Sequence, residues 1–196
     1  MTIKVQDIID IINNRAECIQ NELLDCCSHF LWNQFPEGWY QFALMRELRH
    51  EGYRSYPEYW LGHLLHTENG KTDIALFERQ ENEFKNPAVL IEVKSVGSKD
   101  NDFTKDAKRL IEVAKKGKDG ILVYFTGAIE KSDRDKTRDK FFSCCKREDT
   151  TALVTDKWHP FQKWVFKMPT AEEEGGLGDR EWGVLTATFS GRRSPT

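Results

Sequence analysis

Apolar residues recur at helical spacing near the start of the chain. Val5, Ile8, Ile9, Ile12, Ala16, Ile19 and Leu23 share one face and predict a long amphipathic helix over residues 4–25. A second helix is expected from Pro36, which suits a first helical turn, to about His50, with Trp39, Phe42, Met45 and Leu48 as its apolar positions and Gly52 as its stop. The period then shortens. Tyr53–Leu61 alternates aromatic and polar residues and reads as a strand, which Pro57 confines to an edge or a bulge. Asn69-Gly70 signals a turn before a further strand, Lys71–Phe77. Ala88–Ser95 is apolar on both faces apart from Glu92 and Lys94, as expected of a central strand.

Phe103, Ala107, Leu110, Ile111 and Ala114 mark another amphipathic helix, whose exit is bracketed by Gly117 and Gly120. Ile121–Phe125 reads as a buried strand and Ser132–Cys145 as a charged helix with Ser132 as N-cap. Ala152–Thr155, Trp164–Lys167 and Gly183–Phe189 are weaker strand candidates. Glu172–Gly178 reads as an acidic loop, and residues 191–196 as a disordered tail. This order predicts an α/β fold with a central mixed sheet flanked by helices. A single domain over residues 1–190 is expected, with 1–35 a helical extension, 37–126 the core and 127–190 its completion.

Composition narrows the class. With 39% hydrophobic and 31% charged residues in 196, the chain has the balance of a globular domain, and no apolar run is long enough for a bilayer. The N-terminus carries acids and no small-residue cleavage site, so no signal peptide is expected. Five cysteines in an odd count, with two adjacent pairs and no CxxC, argue against a disulfide framework or a structural zinc. A reducing cytoplasm is the expected compartment. The net charge of −3 weighs against nucleic acid, but Lys99–Lys118 and Lys131–Arg147 are basic on balance. Those two stretches form either a basic binding face or two ordinary solvated helices.

The unusual chemistry lies in the two middle strands. Asp73, Glu92 and Lys94 interrupt apolar runs, where charges are costly unless paired or bound to a metal. Alternation puts Glu92 and Lys94 on one face of their strand. If the strands pair, Asp73 and Glu92 converge on one ion, with the Val93 carbonyl as a further oxygen ligand. Two carboxylates, a hard cation and an ammonium group suit phosphodiester hydrolysis: the ion activates water, and Lys94 stabilises developing charge.

This pattern resembles the PD-(D/E)-x-K nuclease superfamily over residues 37–126. Asp73 matches the first acid, with Thr72 where proline is common, and Glu92 and Lys94 match Glu-x-Lys. Glu47 matches the acid often found on the helix before the sheet. The resemblance implies a restriction-endonuclease-like three-layer sandwich and a Mg2+-dependent nuclease, with Mn2+ able to substitute. It further implies a DNA substrate, endonucleolytic cleavage, catalytic roles for Lys94, Glu92, Asp73 and Glu47, and backbone contacts from Lys105 and Arg109 on the following helix. The alternative is a catalytically inactive member of that fold, acting as a nucleic-acid-binding or protein-interaction module. The sequence leaves open whether the chain acts alone or as a homodimer. His63 and His66 lack a third ligand nearby, and Trp158, His159 and Trp164 read as packing rather than base-stacking residues.

Overall fold

The computed structural model describes residues 3–26, 37–65, 70–78, 86–95, 98–127, 129–146, 153–160, 164–168, 171–175 and 180–190. The turn at Asn69, His66, the side chain of His63 and the 191–196 tail lie outside them. Helix α1 (Val5–Cys26) buries Ile8, Ile9, Ile12, Ala16 and Ile19, as the periodicity predicts. Helix α2 (Glu37–His50) buries Tyr40, Ala43, Leu44, Met45, Glu47 and Leu48. Trp39 and Phe42, expected in the core, instead lie on the exposed side of α2. The buried stripe runs through 40, 44 and 48, one helical step away from them.

Among the described residues, seven strands form one mixed sheet and two more form a separate hairpin. The order begins β1 (Arg54–Trp60), β2 (Lys71–Phe77), β3 (Val89–Lys94), β4 (Asp119–Phe125), β9 (Arg180–Phe189) and β5 (Ile129–Glu130), with β6 (Leu153–Pro160) also on β9. A short helix α3 (Gly62–Leu65) follows β1. β1–β2–β3 are antiparallel, β3 and β4 are parallel, and β9 runs antiparallel to β4 and β6. β1 is an edge strand, where Pro57 is tolerated. The parallel step is bridged by α4 (Asp100–Lys115), which is the crossover such a pair requires.

Helices cover both faces. Ile74, Leu76, Ile91, Val93, Ile121 and Val123 pack under α1 and α2. Ala75, Phe77, Leu90 and Leu122 pack under α4 and α5 (Arg134–Cys145). α1 is therefore one half of a helical layer rather than an appendage. Gly120 on β4 lies so close to α4 that a Cβ there would stand 3.0 Å from the Leu110 side chain. All six residues of β3 are buried. Its four aliphatic side chains each contribute about 1.5–3 kcal/mol, enough for the strand to carry Glu92 and Lys94 into the interior.

Two expectations change in the C-terminal third. Ser132 lies in a short 3-10 turn, Lys131–Asp133, and α5 begins after it. The acidic segment read as a loop contributes β8 (Ala171–Gly175), paired with β7 (Trp164–Met168). Its composition disfavours a strand, but a partner strand satisfies its backbone. Among the described residues no helix is long and apolar enough to cross a membrane.

Candidate active site

β2 and β3 are regular until they reach the charged residues. Their Cα pairing runs Leu76↔Val89, Ala75↔Leu90, Ile74↔Ile91 and then stops, one step short of Asp73 and Glu92. On the other side, β1–β2 pairing skips Glu58 and Asp73 between Pro57↔Ile74 and Tyr59↔Thr72. Glu58 has φ 49, the left-handed region uncommon for a side-chain-bearing residue. The sheet thus opens at Asp73 on both flanks. Side chains replace the missing ladder bonds: Val93 N–H donates to Asp73 Oδ2 at 2.7 Å, and Thr72 Oγ1 donates to the Ile91 carbonyl at 3.0 Å.

The result is a cleft of about 370 Å³ at the carboxyl end of β3, roofed by the first turns of α4. Asp73, Glu92, Lys94, Lys105 and Arg109, all expected at the site, line it together. In an open α/β sheet this is where ligands bind. Lys94 Nζ lies 2.9 Å from Asp106 Oδ2 and 3.1 Å from Glu37 Oε1, and donates to the Val93 carbonyl at 3.2 Å. Arg109 pairs with Asp106 and donates to the Lys71 carbonyl, while its Nε stands 3.3 Å from Glu92 Oε1. That last contact is within ion-pair range but off the donor direction, and Glu92 Oε1 is buried without a hydrogen bond. Lys105 is exposed at the rim.

Electrostatics follow from this geometry. Burial, and then the neighbouring Asp73 charge, push the Glu92 carboxyl well above its ordinary pKa, with Arg109 offsetting part of the rise. Burial also raises Asp73, outweighing the Val93 N–H and the Lys94 charge. Glu37 is raised by burial against the pull of Lys94. Burial alone would lower Lys94, but Asp106 and then Glu37 reverse this and hold its ammonium above the ordinary lysine value. Lys94 therefore stays protonated and acts as a charge and hydrogen-bond donor, not as a base.

Glu47, expected to enter the site from α2, does not line the cleft. Its carboxylate is 2.9 Å from Arg46 Nη2 and 3.6 Å from Arg15 Nε, joining α2 to α1. Arg46 continues the network to Glu22. The acid that α2 presents to the cleft is Glu37, about 15 Å away along the helix axis. The sequence signal for Glu37 was its place in the first turn after Pro36, but nothing there distinguished it from a dipole-stabilising acid. Asp106 also lines the cleft, from the α4 face that carries Ala107 and Leu110, and that shared face is its signal in the sequence. Replacing Glu47 with Ala is expected to cost about 1 kcal/mol, because Arg46 and Arg15 each lose one partner but keep Glu22 and Glu51. Chemical denaturation of the variant beside wild type measures that loss.

The donor set fits a hard divalent cation. Two carboxylates line one cleft at an opened strand end, one Glu92 oxygen is buried without a hydrogen bond, and burial holds both acids towards the neutral form. Among the described residues no three His, Cys, Asp or Glu side chains form a group able to hold a metal by themselves, so water and backbone oxygen would complete the shell. The fold and site define an α/β protein with a mixed open sheet and a charged cleft where β2 and β3 part beneath α4. No protein-family model matches the chain, and no curated protein or solved structure matches it either.

Proposed function

We propose that the chain is a metal-dependent nuclease of the restriction-endonuclease-like kind, acting on phosphodiester bonds, with DNA as the expected polymer. The observation that carries this reading is that Asp73, Glu92 and Lys94 line one cleft, where Glu92 Oε1 is buried without a hydrogen bond. Charge balance supports it. The lining holds five carboxylates (Glu37, Asp73, Glu92, Asp102, Asp106) against four cations (Lys71, Lys94, Lys105, Arg109), a formal −1. One divalent cation would turn this to +1, the sign a phosphodiester needs.

Asp73, Glu92 and the Val93 carbonyl are the residues to hold magnesium, or manganese in its place. When bound, the metal supplies a polarised phosphate oxygen and a more acidic water. Lys94, kept protonated by Asp106 and Glu37, faces the reacting phosphate as a donor to developing negative charge. Asp106 acts through Lys94 and Arg109 as a positioning residue. Lys105 at the rim is placed to steer the backbone.

The test is incubation with plasmid, linear DNA and RNA in magnesium or manganese, beside Asp73→Asn. Wild type should nick or linearise DNA, and the variant should be inert and lose manganese binding in calorimetry. Inactivity of wild type towards every substrate and metal would remove the reading. A second reading, an inactive binding module of the same fold, is favoured by one observation: Arg109 sits between Glu92 and Asp106, so the chain neutralises part of its own acid cluster. Under that reading Arg109→Ala would not alter metal affinity, because no metal competes with the guanidinium.

A further inference from the structure

A second pocket, of about 290 Å³, opens beside the acidic cleft and shares Ser98 with it. Its character is different. Phe103, Tyr124 and Phe141 form its wall, and Lys136, Thr137 and Lys140 on α5 stand at its mouth. The aromatic rings make one cluster, with centroid separations of 4.8 Å for Phe103–Tyr124, 5.7 Å for Phe103–Phe141 and 6.0 Å for Tyr124–Phe141. Phe103 and Phe141 are buried, whereas Tyr124 is half-buried and keeps part of its ring towards the opening. Lys140 pairs with Asp100 at 2.9 Å, but both are well exposed, so this rim contact is weak and easily opened.

The register fixes the distance between the two sites. Tyr124 is the direct partner of Lys94 across the parallel β3–β4 pair. The two Cα atoms are therefore one strand spacing apart, about 5 Å, on the same face of the sheet. A phosphodiester held at Lys94 has its neighbouring sugar and base within reach of the Tyr124 wall. The volume is at the small end for a ligand site and suits one base rather than a stacked pair.

Resting on the nuclease reading above, we infer that the Phe103–Tyr124–Phe141 pocket takes a single unpaired nucleobase next to the phosphate bound at Lys94, with Lys136 and Lys140 beside the flanking backbone. A base can enter only when it is free of its duplex partner, so the substrate class is single-stranded or locally opened nucleic acid. Base–aromatic stacking is sequence-tolerant, so the pocket selects for strandedness more than for sequence.

The experiment uses the full chain in metal-free buffer, where binding is read apart from hydrolysis. Fluorescence anisotropy compares a labelled single-stranded oligonucleotide with a sugar–phosphate chain of equal length and charge that lacks bases. Wild type should bind the base-bearing strand at least about tenfold more tightly, a stacking-sized preference that Tyr124→Leu should abolish. If Tyr124→Leu does not fold, Thr137→Trp, which fills the pocket from its mouth, should remove the same base preference. Equal affinity for the two chains overturns the inference, as does a base preference untouched by both variants. DNA hydrolysis by wild type without base preference removes the pocket and spares the nuclease reading. Base-selective binding lost in Tyr124→Leu, without hydrolysis in any metal, sustains the pocket and removes the nuclease reading.

Discussion

Glu92→Gln should make the metal-free protein melt at a higher temperature near pH 7 while removing magnesium-dependent DNA hydrolysis. The two effects share one cause. Glu92 is 2% exposed, its Oε1 has no hydrogen bond, and burial with the Asp73 charge raises its pKa well above the ordinary carboxylate value. A group whose folded pKa is raised contributes stability that is fully present below the unfolded value of about 4.3 and is lost as pH rises through the folded value. The neutral Gln cannot lose it. Wild type and variant should therefore melt together near pH 4, and the gap should widen towards neutrality. An unpaired buried group costs on the order of 1–3 kcal/mol, and a domain of this size moves about 2–4 °C per kcal/mol, so a gain of roughly 5 °C is expected. Magnesium should raise the melting temperature of wild type and leave Glu92→Gln unmoved. The proposed hydrolysis should fall by about 10²–10³-fold or more, because the variant lacks one of the two carboxylates proposed to hold the metal. A variant that melts below wild type at pH 7 in metal-free buffer would show that Glu92 is compensated within the chain and needs no cation.

The electrostatics of Glu92 were not legible in the sequence, although the residues involved were. Asp73, Glu92 and Lys94 stand out because acids and a lysine rarely interrupt β-branched runs, and period two puts Glu92 and Lys94 on one face. The layers on both sides of β3 were legible in the aliphatic residues it carries on both faces, Leu90 on one and Val89, Ile91 and Val93 on the other. The partners were not. Asp106 and Glu37 reach Lys94 from helices 12 positions downstream and 57 positions upstream, and helix phase must be right to within one residue for a carboxylate to arrive. Glu47 shows the same limit from the other side: a helix acid at a plausible distance turns out to bridge α1 and α2. The break in the ladder at Asp73 was equally hidden, because it depends on Glu58 opposite and on side chains taking over backbone bonds. Alternating patterns predict strands; they carry no signal for where a pair of strands parts.

Lys94→Ala is expected to act with the opposite sign on stability. The ammonium is 8% exposed and joins two carboxylates, Asp106 and Glu37, at 2.9 and 3.1 Å. Removing it leaves Asp106, itself 4% exposed, with Arg109 alone, and leaves Glu37 facing other acids. Breaking one partner out of a buried pair costs about 3–5 kcal/mol, against the gain expected for Glu92→Gln. Two substitutions at neighbouring positions of one strand should thus lower hydrolysis together and move the melting temperature apart. A general loss of fold would move both downward. The cycle with Asp106→Asn isolates the cause: in the double variant the unpaired charge is gone, so part of the loss should return, with a coupling of about 1–3 kcal/mol. The pH window is also specific. Lys94's folded pKa is raised, so its contribution is present below the unfolded lysine value of about 10.4 and is lost as pH climbs through the folded value. Wild type and Lys94→Ala should therefore differ by a constant amount from pH 6 to 9 and converge only in strong alkali. Additive effects in the Lys94–Asp106 cycle, or convergence near neutral pH, would mean that Lys94 is not the charge holding Asp106 and Glu37 in the cleft, and its assignment as donor to the phosphate would fall with it.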